Sequence, residues 1–204
     1  MAFHLWLSLA TICLLGAMSP GPSLALIIKN TLNGGAKQGY ATAISHGLAV
    51  TLYATFTLMG IGLVIIQSPQ LFQFIQYAGA AFLLYLAIKS FTSSHPSIDR
   101  QNQSNNKPIT TNGWRDGFLI AFLNPKLAIF FLALFSQFIK VDANLIEQIT
   151  MITTAGLIDM LWYLLLAFLL SRGIILNKLK ANAQLIEKIM GCCLVLLALR
   201  IVFQ

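Results

Sequence analysis

The sequence predicts an all-α integral membrane protein with about six transmembrane helices, and three features carry that expectation. Hydrophobic residues fill 57% of the 204 positions and charged residues only 9%, against roughly 25% charged in an average soluble domain. Six nearly uncharged apolar runs recur along the chain, and two carry proline motifs near mid-depth. Six helices of about 20 residues with short loops use nearly the whole length. Residues 1–204 therefore read as a single transmembrane domain, with no room for a separate soluble one.

The first run, Phe3 to Ile28, meets no Lys or Arg before Lys29. It lacks the positive leader of a secretory signal and is too long for one, so it reads as a retained first span. The second and third runs, Tyr40 to Ile66 and Leu71 to Ile88, are parted by the uncharged turn Gln67-Ser68-Pro69-Gln70. Thr92 to Asn112 is rich in Ser, Asn, Gln and Pro, has no face to bury, and reads as one long loop. The fourth and fifth spans are Phe118 to Ile139 and Ile149 to Leu170; the sixth, Ile189 to Phe203, is short and is expected to begin near Leu185.

Lys29 and Lys37 follow span one; Lys89, Arg100, Lys107 and Arg115 lie between spans three and four; Arg172, Lys178, Lys180 and Lys188 follow span five. These ten of thirteen basic residues share one side, which the positive-inside rule makes cytoplasmic, so both termini face outward. The same asymmetry accounts for the net charge of +7. It reads as span-capping lysines that can meet anionic lipid headgroups, and not as a nucleic-acid surface.

The two halves, about 1–91 and 118–204 on either side of the loop at about 92–117, echo each other. Ser19-Pro20-Gly21-Pro22 breaks span one as Leu123-Asn124-Pro125-Lys126 breaks span four. Gly47 precedes Tyr53 by six residues in span two, as Gly156 precedes Trp162 in span five. Gly79-Ala80-Ala81 matches Gly191-Cys192-Cys193. Three spans per copy is odd, so the copies enter the membrane from opposite sides and the repeat is inverted, with breaks in helices 1 and 4.

A proline removes a backbone donor and clashes with the preceding turn, freeing backbone groups that hydrocarbon tolerates only beside a cavity or another helix. Replacing Pro125 by alanine is therefore expected to heal its break. The helices restarting after Pro22 and Pro125 offer positive N-terminal ends suited to a carboxylate, and Gly21 lets a ligand approach the backbone. Pro20, Gly21, Pro22, Asn124, Pro125 and Lys126 are thus candidate substrate-binding residues. The plain alternative is a pair of packing kinks.

Asp159 is the acidic residue deepest in a span and is the candidate for proton or cation coupling; the alternative is a structural pair with Lys126 or a backbone carbonyl. His46 adds a side chain that can titrate near neutral pH, or one that merely packs beside Gly47. Lys126 either binds substrate or carries its ammonium out to the interface. Tyr53 and Trp162 either line a pocket or belong to interfacial belts.

His4, His46 and His95 are scattered, and Cys13, Cys192 and Cys193 lie in apolar runs, so no metal centre is expected. No cofactor motif is found. Divalent-cation efflux would need ligands converging on Asp159, and an intramembrane enzyme would need a second acidic or nucleophilic partner for it; the sequence offers neither, and no catalytic residue is assigned. The oligomeric state, a homodimer included, stays open.

Ser19-Pro20-Gly21-Pro22, the stretch Gly34-Gly35-Ala36-Lys37-Gln38-Gly39 leading to Gly47, and Phe122-Leu123-Asn124-Pro125-Lys126 running into Phe130-Phe131 and Ser136-Gln137-Phe138 carry a resemblance over essentially the whole chain. The sequence resembles the lysine exporter and homoserine/threonine exporter family of bacterial amino-acid efflux proteins. That resemblance implies a secondary transporter of about six spans in the bacterial inner membrane, exporting small neutral amino acids such as homoserine or threonine by proton antiport. Lys37 stands where an arginine is expected and His46 where a small apolar residue is usual.

Overall fold

A computed structural model describes residues 1–92, 112–139, 143–173 and 176–202. Among these, seven helices and no strand are present: α1 (Phe3–Met18), α2 (Pro22–Gln67), α3 (Pro69–Thr92), α4 (Gly113–Phe122), α5 (Pro125–Phe138), α6 (Leu145–Ser171) and α7 (Leu176–Val202). Most of the loop expected at Thr92 to Asn112 lies outside the described residues; of its ends, Thr92 closes α3 and the Asn112 side chain caps α4 by accepting from the Arg115 N–H.

The chain is a multi-pass membrane protein by its surface as well as its composition. Large apolar side chains face outward in helical register on the long helices, for example Leu157, Leu161 and Leu165 on α6 and Phe56 and Met59 on α2. Ser45, His46, Ser136 and Asp159 are buried instead. Apolar outside and polar inside inverts the pattern a water-soluble fold requires.

Among the described residues three helical stretches, Pro22–Val64, Gln70–Lys89 and Leu145–Ser171, are long and apolar enough to cross a bilayer, and α4 with α5 makes a fourth if the pair, bent by 55°, is one span. That is fewer than the six expected. Helix α1 has 16 residues, or about 24 Å, short of a hydrocarbon core of about 30 Å. Helix α7 is longer than its expected span but interrupts its apolar run with Glu187, Lys188 and Arg200.

Helix α2 is not one straight rod. Gly35 has a φ of 74°, a left-handed conformation open to glycine. The Asn30 amide donates to Thr42 Oγ1 over 3.0 Å, although twelve residues of straight helix would part them by about 18 Å. The chain therefore turns back at Gly35 into two packed arms. Leu24, Ile27 and Ile28 of the first arm and Ala43 of the second join Tyr163 and Leu166 of α6 in one buried cluster.

The second arm of α2 lies against α6, and small residues allow the approach. A Cβ added to Gly47 would stand 2.5 Å from Met160 Cβ; one added to Gly156 would collide with Thr51 Oγ1. Met160 is four residues beyond Gly156, and Thr51 is four beyond Gly47. The contact is reciprocal, as in a two-fold interface. The third matched pair does not reciprocate: Gly79 faces Ala133 of α5, whereas Gly191 faces Ala87 and Phe91 of α3.

Candidate functional site

Both proline motifs sit between helices, with the prolines starting the helix that follows. Pro22 occupies the first turn of α2 after Gly21, and Pro125 that of α5 after Asn124, whose side-chain oxygen accepts from the Lys126 N–H at 3.0 Å. At such a position a missing N–H costs nothing and the ring presets φ. This corrects the expectation that Pro125→Ala heals the break, because Asn124 still caps α5. Thermal unfolding is expected to place Asn124→Ala about 1 kcal/mol below wild type and Pro125→Ala within about 0.5 kcal/mol of it. Gly21 is extended and an added Cβ would meet only Lys126 Nζ and Ser19 O at 3.9 Å, so neither its φ nor close packing demands glycine.

The two breaks meet at one central cavity of about 40 Å³. Ser19, Gly21, Pro22 and Ser23 line it from the first break, Asn124 and Lys126 from the second, and Asp159 and Tyr163 from α6. Its apolar wall is Leu86, Phe130, Phe131 and Leu194, with Cys13 beside them. Ligand pockets run to roughly 300 Å³ or more, so an organic solute enters only as the helices part.

Charge is polarised across this space. Lys126 Nζ donates to Ser19 Oγ at 3.0 Å, from one break to the other, and turns inward instead of reaching for the interface. The starts of α2 and α5 add the positive ends of two helix dipoles. Asp159, 7% exposed, supplies the negative charge. The Ser23 hydroxyl, also buried, lines the cavity beside the Tyr163 side chain.

Asp159 finds its closest partner in His46, whose Nδ1 lies 2.6 Å from Oδ2. With Asp159 ionised its carboxylate only accepts, and Nδ1 then carries the proton of this bond. The structural alternative for Asp159 named Lys126 or a carbonyl; the geometry puts a histidine there, 113 residues away. Tyr163 packs its ring edge against His46, centroids 4.9 Å apart. By the glycine correspondence, Ala155 and Val50 stand where His46 and Asp159 would recur, so the pair belongs to one register of the interface only.

A wider vestibule of about 600 Å³, lined by Lys29, Asp116, Leu123 and Pro125, shares Pro22 and Asn124 with the central cavity. Trp6 Nε1 donates to Thr154 Oγ1 at 3.0 Å, tying α1 to α6 on the other side of the breaks.

Of the sequence candidates, Gly21, Pro22, Asn124, Lys126 and Asp159 converge on the cavity, and His46 stands behind Asp159. Pro20 is buried outside the lining and Pro125 faces the vestibule. Tyr53 packs against Phe122 at 5.8 Å between centroids, and Trp162 packs against the α2–α6 cluster; neither lines the cavity. Ser23, Cys13 and Tyr163 were not singled out from sequence. Ser23 follows the proline motif directly, a signal of position; Tyr163 is distinguished from Trp162 only by helix rotation. Among the described residues no group of three or more His, Cys, Asp or Glu is placed to hold a metal ion.

A family profile described as LysE type translocator matches residues 14–204. An uncharacterized membrane protein of Bacillus subtilis, YrhP, is 29% identical over 200 residues, covering 94% of this chain and 95% of its own. Leucine efflux proteins of Salmonella choleraesuis and Salmonella typhimurium are each 30% identical over 126 residues, covering 61% of this chain and 58% of theirs. The chain thus spans less than two thirds of the length of those efflux proteins. No solved structure matches.

Proposed function

Because the chain belongs to the LysE type translocator family, we propose that it exports small neutral amino acids across the bacterial inner membrane by proton antiport. The observation that carries this reading is the convergence of both helix breaks, Lys126 and Asp159 on one cavity. A zwitterion has the matching polarity. Its carboxylate meets Lys126 and the starts of α2 and α5, and its ammonium meets Asp159. The apolar wall of Leu86, Phe130, Phe131 and Leu194 takes an aliphatic side chain, in keeping with the relatives named for leucine efflux.

Antiport follows from competition at Asp159. A proton taken up by the Asp159–His46 pair cancels its negative charge and releases the ammonium; a bound ammonium occupies that charge and excludes the proton. In this reading the vestibule beside Lys29 opens to the cytoplasm, where the basic residues gather, and the Trp6–Thr154 contact closes the periplasmic side, where both termini lie. Six crossings result if α1 with the first arm of α2, and α4 with α5, each form a broken span. The reciprocal Gly47 and Gly156 contacts support the inverted repeat that would alternate access.

Everted vesicles given a proton gradient test the reading: radiolabelled leucine, threonine or homoserine should accumulate, and absence of accumulation for every amino acid refutes it. In the same assay Lys126→Met is expected to raise KM for the transported amino acid about 10- to 100-fold, the worth of one charged hydrogen bond, with membrane insertion unchanged. An unaltered KM would remove Lys126 from the site.

A further inference from the structure

Two buried polar atoms on facing segments lack partners in complementary ways. His46 is 1% exposed and, among the described residues, its Nε2 meets no hydrogen-bond partner; Asn30 is 1% exposed and its Oδ1 meets none among them either. Burying such a group unpaired costs about 1–3 kcal/mol. Each therefore asks for an explanation, and together they supply one.

The orientation of the Asn30 amide follows from its neighbour. Thr42 Oγ1 donates its single proton to the Gln38 carbonyl at 2.7 Å, so toward Asn30 it can only accept. The Asn30 NH₂ must face Thr42, at 3.0 Å, which leaves Oδ1 as the spare acceptor. With Asp159 ionised, the His46 Nδ1 proton is committed to it across the 2.6 Å contact. Nε2 is then a bare lone pair in the neutral ring and an N–H donor once the ring takes up a proton. His46 is one helical turn beyond Thr42, so its Cβ lies roughly 5–6 Å from that of the residue that holds Asn30.

We propose that Asn30 is a positioning residue for the proton-coupling pair: when His46 and Asp159 together gain a proton, His46 Nε2–H donates to Asn30 Oδ1, directly or through one water. One N–H bond forms at Nε2 with a proton taken from a hydronium ion, which leaves as water, and the spare acceptor becomes satisfied. Asn30 lies in the first arm of α2, two turns beyond Ser23 on the same face. Protonation thereby draws the arm that carries Pro22 and Ser23 toward α6, which transmits the charge state of the pair to the wall of the solute cavity. The inference rests on the antiport reading only for that last consequence. The proton-dependent contact stands on the two unpartnered atoms.

The other titratable groups around the pair are accounted for. Cys13 of α1, Lys126 of α5 and Tyr163 of α6 share the central cavity with Asp159, while α3 and α7 contribute Leu86 and Leu194. Lys29 of α2 and Asp116 of α4 face the vestibule. Asn30 is thus a neutral neighbour, and its effect is read on the ring itself.

The test is a pH titration of the histidine rings by NMR in nanodiscs, with His46 assigned by comparison with a His46→Gln variant. Asn30→Leu, similar in volume but without the acceptor, should lower the His46 titration midpoint by about one to two pH units, the worth of a hydrogen bond to a charged group. Asn30→Asp retains an acceptor and should restore the midpoint to wild type or above. A midpoint unmoved in Asn30→Leu overturns the proposal. Should Asn30→Leu fail to fold, the neutral variant Asn30→Ala decides: a midpoint unmoved from wild type overturns the proposal and a lowered one supports it. This readout needs no transport, so failure of the amino-acid reading is seen separately, as absent accumulation by the wild-type protein in vesicles.

Discussion

Asp159→Asn is expected to reduce proton-driven export at least about 100-fold while leaving the protein inserted and folded. The amide keeps the shape of the carboxylate and can still accept from His46 Nδ1 across the 2.6 Å contact. It has no charge to neutralise, so it neither exchanges a proton nor balances a substrate ammonium. A charged hydrogen bond contributes about 1.5–3 kcal/mol, roughly 10- to 100-fold in affinity, and the loss of proton exchange adds to that. The measurement is export by everted vesicles across a series of pH values. Rate should become nearly independent of pH as well as low. Undiminished, pH-dependent export by Asp159→Asn would take coupling away from this residue.

Gly47→Ala is expected to be the most damaging single methyl in the α2–α6 interface. The added Cβ stands 2.5 Å from Met160 Cβ and 3.0 Å from Met160 Cα, and no rotamer change moves either atom. The helices must separate, at a cost of about 1–3 kcal/mol, and His46 and Asp159, each adjacent to the contact in sequence, separate with them. Gly156→Ala should cost less, because its principal obstacle is the hydroxyl of Thr51, which can leave by rotation about χ1. Thr51→Ala should recover most of the Gly156→Ala loss. Thermal unfolding in detergent checks the order. Equal or reversed losses would mean that the close approach of these helices is not what the glycines provide.

Much of this architecture was readable because it is encoded locally. Pro22 and Pro125 mark the helix restarts wherever the chain runs, and Asn124 is an N-cap by its chemistry. Gly47 faces Met160 and Gly156 faces Thr51 across the second arm of α2 and α6, and the small size that allows this approach is visible in the sequence. Where local reading went astray, it mistook position for role: prolines expected to break a helix from within start one instead, and Tyr53 and Trp162 pack elsewhere while Tyr163 lines the cavity. A one-residue step turns a helix by about 100°, so neighbouring aromatics cannot be told apart without the packing.

By itself the sequence determined that the chain is helical and membrane-embedded, where its helices break, and that one acidic group lies deep among them, since apolarity, imino-acid geometry and the rarity of buried charge act over a few residues. Only the tertiary structure decided that Asp159 meets His46, 113 residues distant, that Lys126 reaches Ser19 across 107 residues, and that Asn30 folds back onto Thr42. Those partnerships depend on how each helix rotates and where the chain folds back at Gly35, and rotation and crossing are settled by the whole packed bundle rather than by any one segment.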